Sequence, residues 1–319
     1  MRRRRFVTLN AAAFAVAPAV MAQSRRVRVA VLGSDPWQPI AGLEDGLKQA
    51  VRSPQQVSVE FAWFHGDPQR LRAVADELIK SAPDVIVTVG TPAILAAKQR
   101  TMTIPLVMGL IGDPVESGII QSLSRPGGNI TGVSVLAAEL EPKRLQLLKQ
   151  IVPKFSRCAV LLNAANPYST NAMKYARSAE KGLDLVIEPA EVRRAADIEP
   201  VLASLQTSKP DGVLVIADQM LLGARDRIAK AFLEQRLPSA FTYQDHVEAG
   251  GLLAYSTNYY EAFREASGYV VRILGGASPS GLPVKQVERF ELVVNMTTVR
   301  TLGLTIPDTV RALIDRSLQ

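Results

Sequence analysis

Residues 84–134 read DVIVTVGTPAILAAKQRTMTIPLVMGLIGDPVESGIIQSLSRPGGNITGVS, and the order of patterns in this stretch decides the fold. An apolar run over 85–89 ends at a glycine and leads into Thr91-Pro92, two residue types that cap and open helices. A second apolar run over 105–111 ends at Gly112-Asp113-Pro114, where we expect another short helix. Because strands, polar tips and helices alternate, the stretch predicts βαβ units of a parallel sheet.

The two polar tips have a predicted place in this sheet. Ligands of parallel α/β sheets bind at the carboxyl ends of strands, where the amides of helix N-termini attract anions. Thr91 and Asp113 are therefore expected at one edge of the sheet. Spacing alone leaves a second interpretation open, in which both residues serve only as helix N-caps.

The same alternation continues on both sides and predicts two lobes with a cleft between them. Ser34 follows a first-lobe strand at the same edge as Thr91, and the pattern restarts after residue 153 without an obvious sequence repeat. The predicted strands are 27–32, 57–64 and 130–136 in the first lobe and 157–162, 183–187, 212–216 and 240–243 in the second. The second lobe's predicted helices are 170–182, 197–205 and 219–235, followed by a strand over 250–257, a helix over 259–274, an extended segment to 295 and a final helix over 297–302.

Composition limits the class of protein. The chain has 319 residues, of which 47% are hydrophobic and 21% charged, as expected for a soluble globular protein. The formal net charge is +7, but four of these charges are Arg2 to Arg5, and no later run of Lys or Arg exceeds two residues. We therefore expect no nucleic-acid partner.

The reactive residue types are few. The chain has one cysteine, Cys158, so an internal disulfide is excluded. Its apolar neighbours in the sequence predict that its small side chain is buried. Two histidines, His65 and His246, argue against a His-rich metal site or a Ser-His-Asp triad, and we expect no metal and no cofactor. We expect His65 to be a loop residue, and Asp245, His246 and Glu248 to form a solvated loop instead of an acid/base cluster.

Residues 1–22 have the pattern of an export signal. Arg2 to Arg5 form a basic region, 11–20 an apolar region and 20–22 a small-residue cleavage pattern. About ten apolar residues are too few to span a bilayer, which needs ~20. The arginines also fit a twin-arginine motif, with the general secretory route as the alternative. Both routes predict a periplasmic protein that is cleaved after about Ala22.

Further motifs resemble one bacterial family. The decapeptide RPGGNITGVS at 125–134 resembles the PGGNxTG signature of ABC transporter substrate-binding proteins, whose best-known members serve tryptophan or tyrosine uptake. The preceding GTPA and DPV segments, EAGGLLAYSTNYY at 248–260 and LGLTIP at 302–307 follow the family's order. The resemblance covers about 26–307, with departures at Ser267-Gly268 and Thr298-Val299.

The resemblance implies a periplasmic-binding-protein fold of two α/β lobes that close on a ligand around a hinge. Each lobe would be a parallel sheet flanked by helices. We expect crossings near 134–138, 253–258 and 282–285, and a helix over 259–274 that packs back on the first lobe. The predicted first lobe is 23–135 plus about 257–282, and the second lobe is 136–256 plus about 283–319.

The implied function is binding without catalysis. The resemblance predicts a monomeric, extracytoplasmic solute-binding protein of an ABC importer, which captures an amino acid, aromatic by the family's leaning, and delivers it to the membrane permease and ATPase subunits. A periplasmic ligand sensor is an alternative. An exported α/β enzyme is a weaker one, because the chain lacks metal-ligand spacing, a nucleophile elbow and a cofactor fingerprint.

The candidate ligand-binding residues follow from the strand ends. A ligand carboxylate suits Thr91 and the turn of Pro92, aided by Ser34. An ammonium group needs an acceptor, and Asp113 and Asp218 are the candidates. Asn166 and Asp218 belong to the second lobe and would reach a ligand only on closure. Tyr168, Tyr243, Tyr255 and Trp37 could line the cleft, although each Tyr could be structural and Asp218 could be an N-cap.

Overall fold

The structure is a computed structural model that describes residues 26–50, 57–135 and 137–319. The predicted export signal and cleavage site lie outside the described residues.

Thirteen strands are described, and they form two sheets. They are β1 (Val27–Gly33), β2 (Val57–Trp63), β3 (Val85–Val89), β4 (Leu106–Gly112), β5 (Ile130–Val135), β6 (Arg157–Asn163), β7 (Val186–Val192), β8 (Gly212–Val215), β9 (Ser239–Phe241), β10 (Leu253–Thr257), β11 (Lys285–Val287), β12 (Phe290–Asn295) and β13 (Ile314–Leu318). The first sheet has the order β11-β5-β4-β3-β1-β2 and is parallel throughout. The second has the order β13-β12-β10-β9-β8-β6-β7, and only its β10–β12 pair is antiparallel.

Helices cover both sheets. They are α1 (Ala41–Ala50), α2 (Pro68–Lys80), α3 (Thr91–Lys98), α4 (Glu141–Ile151), α5 (Tyr168–Ser178), α6 (Glu180–Leu183), α7 (Ile198–Ser208), α8 (Gln219–Gly223), α9 (Arg225–Glu234), α10 (Gln244–Glu248), α11 (Tyr259–Leu274), α12 (Met296–Leu302) and α13 (Asp308–Arg311). No helix of the described ranges has the length and apolar character needed to cross a bilayer.

The core of the first lobe follows from strand alternation. All five residues of β3 are buried, as parallel strands between two helical layers should be. Val87 packs in one apolar cluster with Leu43 of α1, whereas Ile86 packs in another with Ile94 of α3. Successive side chains of one strand thus hold opposite helical layers.

The helix α11 packs against α1 of the first lobe. It lies so close to α1 that a Cβ on Gly42 or Gly46 would overlap atoms of α11. The Tyr260 hydroxyl donates to Asp45 Oδ2 at 2.9 Å and fixes the register of the pair. The glycines of α1 are therefore needed for a close approach between two helices.

One predicted lobe boundary is wrong. The strand β11 pairs with β5 in the first sheet, with Lys285 opposite Val133, so 285–287 belong to the first lobe. The Tyr269 hydroxyl donates to the Pro283 carbonyl at 2.7 Å and ties this segment to α11. The third crossing therefore lies between β11 and β12, a few residues later than the sequence predicted.

The short helix expected after Gly112-Asp113-Pro114 is not formed, because 114–118 form turns. Asp113 has a φ of +47° and Gly118 a φ of +66°, and such left-handed residues interrupt a helix at both ends. The Ser117 amide donates to the Asp113 carbonyl at 3.0 Å, so the segment closes one turn and stops.

Other boundaries differ by local geometry. The helix predicted over 219–235 is two helices that break at Ala224 (φ −99°, ψ 9°). The strand predicted over 183–187 begins later, because Asp184 is left-handed and ends α6. The sequence patterns did not predict α13 or β13, because their mostly exposed residues show no clear periodicity of apolar and polar side chains.

A buried ion pair lies where the chain crosses between lobes. Arg144 and Glu141 of α4 are both fully buried, with Nη1 and Oε1 2.9 Å apart. Arg144 also donates to the carbonyls of Ala137 and Tyr255, each at 2.9 Å. Ala137 lies in the first crossing and Tyr255 in β10, which leads into the second, so one guanidinium holds two crossing segments.

Candidate ligand-binding site

A cavity of about 260 Å³ lies between the carboxyl ends of the two sheets. The first lobe contributes the residues after β1 and the start of α3, and the second lobe contributes those after β6 and β8. The polar and aromatic lining includes Ser34, Phe64, Thr91, Asn163, Asn166, Tyr168, Asp218, Gln219, Tyr243 and Tyr259.

The first-lobe edge of the cavity is formed by the start of α3. Gly90 has a φ of +87°, which turns the chain so that the buried Thr91 and Pro92 open the helix. The first amides of such a helix have no partner within the helix and favour an anion. Ser34 Oγ donates to Asp35 Oδ2 at 2.6 Å, so its hydrogen is already used.

The second-lobe edge is organised around the buried carboxylate of Asp218. Its Oδ1 accepts from the amides of Met220 (2.8 Å) and Leu221 (3.1 Å), which makes it the N-cap of α8. Its Oδ2 accepts from Nδ2 of Asn163 and of Asn166, both at 3.0 Å. Burial raises the pKa of Asp218, and these hydrogen bonds act in the opposite direction.

The two carboxamides are fixed at both ends. Asn163 Oδ1 accepts from the Ala165 amide at 3.0 Å, and Asn166 Oδ1 accepts from the Tyr168 amide at 3.1 Å. Their nitrogens must therefore face Asp218, which can only accept. Each carboxamide keeps one N–H for another acceptor.

Aromatic side chains form the apolar part of the lining. Tyr168 packs on Gly112 of the other lobe, where an added Cβ would be 2.6 Å from the ring. Tyr243 contacts Trp37 and Tyr259, with ring centroids 5.4 and 5.3 Å apart. Burial raises the pKa of the Tyr168 and Tyr243 hydroxyls, so both rings stay neutral.

The lobes touch around the cavity. A Cβ on Gly66 would lie 3.4 Å from the Met220 side chain, and one on Gly90 would lie 3.5 Å from Gln219 Cγ. Trp37 Nε1 donates to Asp245 Oδ1 at 2.9 Å across the lobes. These contacts describe a closed form of the two-lobed protein.

Seven of the nine predicted site residues line this cavity: Ser34, Thr91, Pro92, Asn166, Tyr168, Asp218 and Tyr243. Whether any of them contacts a ligand stays a prediction. For Asp218 the structure shows the N-cap role that the sequence left open.

The other two predicted residues lie elsewhere. Asp113 lies outside the lining, beside the first crossing, where burial raises the pKa of its carboxyl to about 7, helped by Glu139, Glu116 and Glu141. Tyr255 packs against Phe290 and lines a separate shallow pocket. Asp113 lies outside the cavity because a left-handed turn replaces the expected helix. Tyr255 lies outside it because its side chain is on the face of β10 that packs against Phe290.

Sequence reasoning missed several lining residues. Asn163 ends β6 and Gln219 follows Asp218, so attention to every strand end would have included them. Arg72 of α2 and Arg193 after β7 also line the cavity. No local pattern marks these arginines, because they reach the site from opposite lobes.

The prediction that Asp245, His246 and Glu248 form a solvated loop is wrong. These residues form α10, and the His246 ring is buried and stacked on Phe241 with centroids 4.7 Å apart. Burial lowers the pKa of His246 to about 3, so the ring is neutral. His65 does lie in a turn, with Nδ1 2.6 Å from Asp35 Oδ1. Among the residues described, no three His, Cys, Asp or Glu side chains are grouped closely enough to hold a metal ion.

Comparison with known proteins places this two-lobed fold in a family. The family model "ABC transporter substrate binding protein" matches residues 27–317, and the chain belongs to that family. A curated relative is a tyrosine-binding protein of Clostridioides difficile (strain R20291), 24% identical over 266 residues, which are 83% of this chain and 75% of the relative.

Two solved structures are similar over nearly the whole fold. One is an ABC domain in complex with L-Trp from Streptococcus pneumonia (TM-score 0.85, 23% identity, 92% of this chain and 100% of that one). The other is a conserved domain protein from Vibrio cholerae (TM-score 0.86, 25% identity, 92% and 99%). The predicted fold of two lobes, each a sheet flanked by helices, is confirmed.

Proposed function

We propose that the protein is the extracytoplasmic solute-binding component of an ABC importer, which captures a small solute by lobe closure and delivers it to a membrane permease and its ATPase. The observation that carries this proposal is the cavity between the lobes. Its polar lining comes from strand ends of both sheets, so a bound solute would join the lobes.

The order of events follows from which lobe holds which group. A solute carboxylate first meets the N-terminal amides of α3 beside Thr91 in the open form. Closure then brings Asn163, Asn166 and the Tyr168 ring against it. Ligand contacts made only after closure shift the equilibrium toward the closed form, which the permease can distinguish from the open one.

An amino acid is the first ligand to test, because the curated relative is a tyrosine-binding protein and a similar structure contains L-Trp. The aromatic lining gives an apolar side chain a partner surface. The family is solute-binding, and we propose no catalysis. We propose that the export signal at 1–22 directs the mature protein to the periplasm.

The test is recovery of a bound solute. Protein purified from the periplasm is denatured, and released small molecules are identified by mass spectrometry. Refolded, ligand-free protein is then unfolded thermally against the recovered compounds and a panel of amino acids and small metabolites, organic acids included. A ligand at about 1,000 times its Kd should stabilise the protein by about 4 kcal/mol. If no compound is recovered and none shifts the unfolding temperature, the proposed function is wrong.

A further inference from the structure

The charges around the cavity are unequal. Among the described residues that line it, Asp218 is the only one with a carboxyl side chain, whereas Arg72, Arg100 and Arg193 carry positive charges. A zwitterionic amino acid presents one charge of each sign. The lining therefore offers several positive charges to the carboxylate of an amino acid, but a single carboxyl group to its ammonium.

Asp218 has no lone pair left for a ligand. A carboxylate accepts about four hydrogen bonds, and Asp218 already accepts four, from two main-chain amides and two carboxamides. Asp35, behind the lining, is also engaged, since its oxygens lie 2.6 Å from His65 Nδ1 and from Ser34 Oγ. The remaining acceptors in the lining are uncharged hydroxyls and carbonyls.

Donors, in contrast, are available on both lobes. Asn163 and Asn166 each keep one N–H beyond the bond to Asp218. The first turn of α3 adds main-chain amides and the positive end of a helix dipole. All of these groups suit a carboxylate.

The mouth of the cavity adds positive charge. Arg100 is engaged by Asp76, with Nε 2.6 Å from Oδ1. Arg193 is exposed, and its single ion pair among the described residues is long, with Nη2 4.0 Å from Glu191 Oε2. Arg72 forms no ion pair with any residue that the structure describes. Because these two arginines belong to opposite lobes, closure brings both charges to the same opening and attracts an anion.

We propose that this site selects small apolar or aromatic carboxylates that lack an α-ammonium group over the corresponding amino acids. The inference rests on the proposed function and narrows its ligand class. An ammonium group would lose its hydration in the closed cavity without gaining a charged partner, and burial of an uncompensated charge is costly. A carboxylate also loses hydration, but the N–H groups of Asn163, Asn166 and the first turn of α3 can replace it.

The test compares matched ligands by isothermal titration calorimetry on refolded, ligand-free protein. The pairs are 3-(4-hydroxyphenyl)propanoate with L-tyrosine, and indole-3-propanoate with L-tryptophan, with tyramine as the amine without a carboxylate. We expect the amine-free acid of at least one pair to bind about tenfold tighter or more than its amino acid, and no binding of tyramine.

Equal or tighter binding of the amino acids overturns the inference but leaves the proposed function in place. If none of the four acids binds, the inference is also overturned. The proposed function is then judged separately, by whether another bound solute is recovered from the protein. Arg72→Gln and Arg193→Gln should each weaken binding of the preferred carboxylate and reduce its dependence on salt. Arg70→Gln, a control on the same helix but outside the lining, should do neither.

Discussion

Gly112 of the first lobe is in close contact with the Tyr168 ring of the second lobe. A Cβ on Gly112 would lie 2.6 and 3.0 Å from two atoms of the Tyr168 ring, and no backbone atom is among its nearest neighbours. Gly112→Ala should therefore disturb the closed form more than either separate lobe. Overpacking of this kind costs roughly 1–3 kcal/mol, so ligand affinity should fall by about one to two decades.

The measurement is ligand Kd by calorimetry together with the unfolding temperature of the ligand-free protein. The control is Gly268→Ala in α11, where an added Cβ meets no atom within 4 Å. This control should bind normally and be unchanged or slightly more stable, since Ala favours a helix. Normal affinity in Gly112→Ala would show that Tyr168 does not pack here in the bound form.

Asp113 predicts a pH dependence of stability. Burial, followed by Glu139, Glu116 and Glu141, raises the pKa of its carboxyl to about 7, whereas the Ala138 amide lowers it. A carboxyl with a raised folded-state pKa stabilises the fold fully below its unfolded pKa, and this contribution is lost as the pH rises through about 7. The contribution of Asp113 to stability should thus fall between pH 5 and pH 8.

Asp113→Asn tests this directly. Asn tolerates the φ of +47° at this position and cannot ionise. We expect the variant to be more stable than the parent at pH 8 by on the order of 1–3 kcal/mol, and to show a smaller loss between pH 5 and 8 in urea unfolding. An unchanged pH slope would assign the dependence to a neighbouring carboxyl instead.

At the scale of elements, α4 connects the crossing segments through its buried ion pair. Arg144→Met leaves Glu141 without a partner and two carbonyls without a donor. Breaking one side of a buried pair costs about 3–5 kcal/mol, whereas replacing both sides costs less. Arg144→Met should therefore be strongly destabilised in urea unfolding, and adding Glu141→Leu should recover part of the loss.

The elements that the sequence predicted well have strong local signals. Val85–Val89 is continuous and apolar, and Asp67 followed by Pro68 opens α2 with two side-chain hydrogen bonds. The failures depend on backbone conformation at single residues. Asp113 and Ala224 interrupt predicted helices, and Asp184 delays the start of a predicted strand, through dihedral angles that composition does not specify.

At the scale of the whole molecule, closure has an intrinsic reporter. The chain has two tryptophans. Trp37 donates to Asp245 of the other lobe and contacts Tyr243, whereas Trp63 stacks on Phe61 of the edge strand β2. Ligand binding should change the Trp37 fluorescence, because closure alters its surroundings. Trp63→Phe should keep the ligand-induced change, and Trp37→Phe should lose it, in a fluorescence titration.

A change that survives in Trp37→Phe would place the moving contact elsewhere. The same titration in Gly112→Ala should need more ligand to reach the same signal, which links the residue-scale contact to the motion of the lobes.

The amino-acid sequence was enough to predict the alternation of strands and helices, the two-lobed class and the strand ends where polar residues gather. These features depend on periodicity and capping within a few neighbouring residues. What these residues can bind depends on contacts that form only in the folded protein. Two of the four hydrogen bonds that Asp218 accepts come from Asn163 and Asn166, 55 and 52 residues away. Asp113 lies outside the cavity lining because it forms a left-handed turn. Such hydrogen bonds join residues that are distant in sequence and depend on which strands are neighbours in the sheet, here β6 and β8, so the charge available to a ligand could not be deduced from local sequence.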